Sequence, residues 1–133
     1  MVLCDAVHKD PATGKNTLLG TFSTFGSTNY PANLSLAIYF SLTDGQGKHD
    51  IQLRLISSRH IVDETIEPLF TINLEMEFPD PLCVIEGATG GVFLITEPGV
   101  YHCELLAGED VLMSRRVVAD TIETQDGDKN KDE

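Results

Sequence analysis

Leu34-Ser35-Leu36-Ala37-Ile38-Tyr39-Phe40-Ser41-Leu42 alternates without a break, with Leu34, Leu36, Ile38, Phe40 and Leu42 on one side and small or polar residues on the other. Successive side chains of a strand point to opposite faces, so this stretch makes one wholly apolar face and one wet face. A second run repeats the pattern: Phe70, Ile72, Leu74, Met76 and Phe78 alternate with Thr71, Asn73, Glu75 and Glu77. One buried and one solvated face per strand is the mark of antiparallel sheets.

Turn residues divide the rest of the chain. Thr43-Asp44-Gly45-Gln46-Gly47 separates the first run from Ile51 to Ile56 and predicts a hairpin between the two. Ala107-Gly108-Glu109-Asp110 predicts a second hairpin, joining Val100–Leu106 to Val111–Val118. Asp10 to Lys15 predicts a third, joining Val2–His8 to Leu18–Phe25. The glycine-rich Gly87-Ala88-Thr89-Gly90-Gly91 reads as another turn, between short strands at Leu82–Glu86 and Val92–Thr96. Pro79, Pro81 and Pro98 fall at segment ends, and Phe78-Pro79-Asp80-Pro81 reads as a crossing between sheets. Ile61–Leu69 admits at most a short helical turn or an irregular loop. Eight or nine strands at this spacing predict an all-β, antiparallel two-sheet β-sandwich rather than a closed barrel.

At 133 residues the chain predicts one domain, over residues 1–119, followed by an acidic flexible tail over 120–133 whose composition cannot offset its ordering entropy by burial. The formal net charge of −12 argues against nucleic acid or an anionic membrane as partner, since both require a basic patch. The start, Met1 to Ala6, shows neither a secretory signal nor a membrane span, and the expected address is the cytoplasm. Cys4, Cys83 and Cys103 are far apart, odd in number and without a C-x-x-C pair, which predicts reduced, buried thiols in strands.

Three stretches together resemble an uncharacterised bacterial family of unknown function. They are Leu3 to Val7 with Asp10 to Lys15 and Leu18 to Phe22, then Leu42-Thr43-Asp44-Gly45, then Glu97 to Tyr101 with Glu104 to Glu109. The resemblance spans residues 2 to 118, implies an immunoglobulin-like or related β-sandwich, and supplies no active site. Pro98-Gly99-Val100-Tyr101 also looks like the opening of a late strand in immunoglobulin-like and fibronectin-like domains. There Tyr101 would bury its ring while its hydroxyl finds a backbone partner.

The candidates for chemistry are sparse. His8, His49, His60 and His102 are scattered, and His102 is expected to face solvent, opposite Tyr101 and Cys103. Cys103 and His102 are strand neighbours on opposite faces and cannot pair as nucleophile and base. Gly26-Ser27-Thr28 reads as a loop without a nucleophile elbow, and Gly87 to Gly91 lacks the lysine and helix start of a phosphate loop. Glu75, Glu77 and Glu104 lie on polar faces with no cleft or aromatic floor for a sugar. Arg115 and Arg116 point to opposite faces, where one could pair with acidic neighbours at a sheet edge. Asp126 to Asp132 matches the first, third and fifth ligands of a calcium loop but has Lys131 at the glycine position and lacks the closing glutamate.

No catalytic, cofactor or metal residue is therefore expected. The sequence reads as a non-catalytic accessory or assembly domain that meets a protein partner or itself through a strand edge or polar sheet face. The alternative is a small-ligand or carbohydrate-binding module using Asn29-Tyr30-Pro31 and Tyr39. An enzyme would require a pocket holding His8 or His60 beside a carboxylate.

Overall fold

The computed structural model describes residues 1–123. It is all-β apart from one short helix, in the order β1 (Val2–Lys9), β2 (Asn16–Thr21), β3 (Thr24–Ser27), β4 (Ala32–Leu42), β5 (Gly47–Ser57), α1 (Ser58–Val62), β6 (Phe70–Phe78), β7 (Ile85–Ile95), β8 (Gly99–Ala107) and β9 (Asp110–Thr121). One sheet has the order β2-β1-β4-β7 and the other β3-β9-β8-β5-β6. All pairings are antiparallel except that of β3 with β9. No helix of the described residues is long and apolar enough to cross a membrane.

The alternating stretch at 34–42 is the centre of this arrangement. In β4, Leu34, Leu36, Ile38, Phe40 and Leu42 are all buried, and they join Ile51, Leu53, Leu55, Cys103, Leu105 and Val117 of the other sheet in one apolar core. The 70–78 run is β6, as its period predicts, but β6 is an outermost strand, so Phe70, Ile72, Leu74 and Met76 are only partly buried. Phe70 stacks on Phe93 of β7 with ring centroids 4.1 Å apart, which joins the two sheets along that flank.

The β8–β9 hairpin forms as expected, with Ala107 opposite Asp110 and Gly108 at φ +61°, a conformation that favours glycine. The β1–β2 hairpin also forms, closed by Gly14 N–H donating to the Asp10 carbonyl at 2.8 Å. The connection after Phe78 does cross from one sheet to the other.

Several expectations are corrected. Thr43–Gly47 is not a hairpin turn: β4 is flanked by β1 and β7, while β5 lies between β6 and β8 in the other sheet. The turn is a second crossing, held beside the first by Asp44 N–H donating to the Pro81 carbonyl at 3.0 Å. The glycine-rich segment 87–91 is not a turn either, but the middle of the eleven-residue β7, paired residue for residue with β4 from Ala32↔Ile95 to Leu42↔Ile85. The glycines are there for close approach. A Cβ on Gly87 would stand 2.4 Å from the Phe40 ring, and one on Gly90 would stand 2.5 Å from the Leu36 carbonyl oxygen.

Leu18–Phe25 is not one strand. Phe22 N–H still donates to the Leu3 carbonyl, but Ser23 already accepts from Val118 N–H, so the chain changes sheet there and continues as β3, which includes Gly26 and Ser27. Cys83 lies in the connection between β6 and β7 and is half-buried, unlike the buried Cys4 and Cys103. At the far end, β9 continues to Thr121 and Ile122 N–H donates to the Ser27 carbonyl at 3.0 Å, beyond the expected boundary at 119. The calcium-loop match at 126–132 lies outside the described residues.

Candidate functional site

Two places collect features that the core does not use. The first is the corner where β5 ends, α1 begins and β8 starts. Pairing of β5 with β8 sets Ser57 opposite Tyr101 and Ile56 opposite His102, and this brings Ser58 Oγ within 3.3 Å of His102 Nε2. Arg59 Nη2 lies 2.9 Å from Glu97 Oε1, an ion pair open to solvent and therefore of small energetic value. His60 is buried, its Nδ1 in contact with the Ile66 carbonyl. The buried Tyr101 donates its hydroxyl to the Glu97 carbonyl at 2.5 Å, the backbone partner expected of it.

A cleft of about 340 Å³ opens there, with Ile66, Leu69 and Leu94 as apolar walls and Ser57, Arg59 and Tyr101 as polar ones. Ser57 Oγ is the one buried side-chain polar atom among the described residues without a hydrogen-bond partner. Burying an unpaired hydroxyl costs roughly 1–3 kcal/mol. Ser57→Ala is accordingly expected to leave stability unchanged or raise it by about 1 kcal/mol in urea denaturation. A loss of stability would show that the hydroxyl is bonded in solution.

The corner has a hydroxyl beside an imidazole, as nucleophilic catalysis requires, but not the rest of that geometry. No described carboxylate bonds the other imidazole nitrogen, so the group that would orient the base is missing among the described residues. His102 is half-buried against Ser58 rather than free in solvent, though it does lie opposite Tyr101 and Cys103. The sequence alone gave no sign of this contact, because the partners are 44 positions apart and meet only through the β5–β8 register.

The second place is the outer edge of β7. Each sheet has two outermost strands, and the four differ sharply: β3 has four residues, β2 six, β6 nine including Glu75 and Glu77, and β7 eleven. From Gly87 to Ile95, β7 carries no charge and no proline, and its register with β4 has no bulge. Those are the devices by which exposed edges are usually protected against pairing. Its outward side chains include Val92 and Leu94, 67% and 54% exposed.

The other residues singled out by sequence do not converge. Tyr30 sits edge-on to Phe25 and donates its hydroxyl to the Asp120 carbonyl at 2.7 Å, whereas Tyr39, on the outer face of β4, bonds Glu86. His8 is exposed on β1, opposite Thr17, and His49 bonds the Gln46 carbonyl. Glu104 is paired with Arg54 at 2.8 Å. Arg115 and Arg116 have no carboxylate partner among the described residues, and Arg115 Nε donates to the Met1 carbonyl at 3.0 Å. Burial pushes the Cys4 thiol up and the Cys103 thiol up to about 12, so neither is a ready nucleophile at neutral pH. No group of three or more His, Cys, Asp or Glu among the described residues could hold a metal ion.

A family model described as a family of unknown function (DUF6941) matches residues 1–119. No curated protein matches the chain.

Proposed function

The chain belongs to the DUF6941 family of unknown function, and from that premise we propose that it is a non-catalytic, immunoglobulin-like β-sandwich of a bacterial cytoplasm that works by protein contact through the free edge of β7. The immunoglobulin-like part of this reading is supported by three pairings. β4 with β7, β5 with β8 and β8 with β9 stand in the relations of strands B–E, C–F and F–G in such sandwiches. Tyr101 lies two residues before Cys103 near the start of β8 and bonds a carbonyl four residues upstream, as a tyrosine corner does. The arrangement departs from the constant-type pattern in the pairing of β6 with β5 rather than with β7 and in the added edge strands β2 and β3.

The observation that carries the contact reading is the uncharged, unbulged span of β7, a row of backbone donors and acceptors open to an added strand. In a clarified lysate of its own cells, the tagged chain is expected to sediment well above its monomer mass, to which these 133 residues contribute 14.6 kDa. Val92→Lys, on the exposed side of β7, should return it to the monomer mass, while Asn73→Lys on the outer face of β6 should not. A wild-type monomer, or an assembly indifferent to Val92→Lys, would overturn the reading.

A small-ligand reading has one observation in its favour, the cleft at the end of β5, where Ile66, Leu69 and Leu94 face the polar residues Ser57, Arg59 and Tyr101. It predicts a rise in melting temperature with a bound amphipathic molecule, lost when Leu69→Arg blocks the cleft.

A further inference from the structure

We infer that the occupant of the β7 edge is β7 of a second copy of this chain, paired antiparallel about a two-fold axis at Gly90, so that the two four-stranded sheets become one continuous sheet of eight. This rests on the strand-edge reading above and names its partner. An isologous contact requires a surface that complements itself. With the axis at Gly90, glycine faces glycine, Ala88 faces Val92 of the second copy, and Glu86 faces Leu94. All of these lie on the outer face, opposite Tyr39, Ala37, Ser35 and their neighbours on β4. No like charges meet: the two Glu86 carboxylates are at opposite ends of the paired segment, about 27 Å apart at roughly 3.4 Å per residue. Val92 and Leu94, both more than half exposed, each gain a cross-strand neighbour twice over by the symmetry.

The charge of the molecule selects this occupant. A chain of net charge −12 attracts basic partners and repels its own copies almost everywhere on its surface. The span from Gly87 to Ile95 has no carboxylate to receive a lysine or arginine, so the electrostatic advantage of a basic partner is missing where the backbone is free. It is also the longest edge segment on which the repulsion between copies is absent. The edge of β6, by contrast, would bring Glu75 and Glu77 of both copies into one short strip. An uncharged, small-residue edge fits an uncharged, small-residue strand, and this chain carries one.

The test uses the purified full chain. Sedimentation velocity from micromolar to millimolar concentration should show a reversible monomer–dimer equilibrium, and Val92→Lys should weaken it by about tenfold or more, because the symmetry applies each change twice. The register is read separately, in a Cys83→Ala background. The pair Ala88→Cys with Val92→Cys should oxidise to a disulfide-linked dimer, and Val92→Cys alone should not, since its symmetry mate lies four residues along the strand. A monomer at every concentration, a dimer untouched by Val92→Lys, or efficient linkage by Val92→Cys alone would each overturn the inference. If the purified protein is monomeric while the lysate assembly is still dissolved by Val92→Lys, the homotypic pairing fails and the strand-edge reading stands. If neither assembly exists, both fail.

Discussion

Gly87→Ala is expected to lower the unfolding free energy by about 2–4 kcal/mol, and Phe40→Leu introduced with it should restore at least about 1 kcal/mol relative to the sum of the two single changes. Adding a methyl to a strand glycine ordinarily stabilises. It reduces the freedom of the unfolded chain, by about 0.4–1 kcal/mol where the native backbone tolerates it. Gly91 in the same strand is such a place: its Cβ would meet the Phe93 ring at 3.5 Å, an ordinary contact, and Gly91→Ala should be neutral or mildly stabilising. At Gly87 the Cβ would fall 2.4 to 3.0 Å from three atoms of the Phe40 ring, and Phe40 is fully buried in a close-packed core with nowhere to go. Leucine at position 40 shortens the side chain that collides, at the cost of a cavity, so the two changes should couple strongly. Urea denaturation of the wild type, both single variants and the double variant measures the coupling. Additive behaviour would mean that β7 does not lie against Phe40 in solution, and with it would fall the pairing of β4 with β7.

The same glycines show where the sequence was legible and where it was not. Period-two alternation made β4 and β6 readable because their apolar positions each carry a large side chain whose burial the pattern announces directly. In β7 the inward positions Gly87 and Gly91 have no side chain, because Phe40 reaches across to fill the space at Gly87, so the pattern is written on the partner strand and the segment mimics a turn. Turn chemistry has a related blind spot. Asp44 to Gly47 marks a reversal of direction, but nothing local distinguishes a reversal within one sheet from a crossing to the other. That choice is made by which strands already flank β4. The corner at Ser57 to His60 was hidden for the same reason, since its neighbours Glu97, Tyr101 and His102 arrive through long-range pairing. By contrast, the Tyr101 hydroxyl bond was legible, because its partner is only four residues away.

Stability should fall as pH rises above 9, and the part of that fall due to Cys103 should reach about 1.4 kcal/mol per pH unit, disappearing in Cys103→Ala. Cys103 is fully buried at the centre of the core; Arg115 stands opposite it on β9 but donates its Nε to the Met1 carbonyl, and the charge that acts on the thiol, Glu104, is negative. Desolvation and that carboxylate both disfavour the thiolate, so the thiol is pushed from 9.0 up to about 12. Below pH 9 the thiol is protonated whether the chain is folded or not, and its ionisation contributes no pH dependence. Between 9 and about 12 the unfolded chain ionises while the folded one does not, which draws the equilibrium toward unfolding; the sign follows from a folded-state value above the unfolded one. Tyrosines and lysines titrate in the same range, so the diagnostic quantity is the difference in slope between the wild type and Cys103→Ala, measured by denaturant titration at successive pH values. Cys103→Ala will itself be less stable at neutral pH, having lost a buried side chain, and the two curves should therefore converge as pH rises. Parallel curves would mean that Cys103 meets solvent or a compensating cation in the folded protein, and that the core does not close over β8 as described.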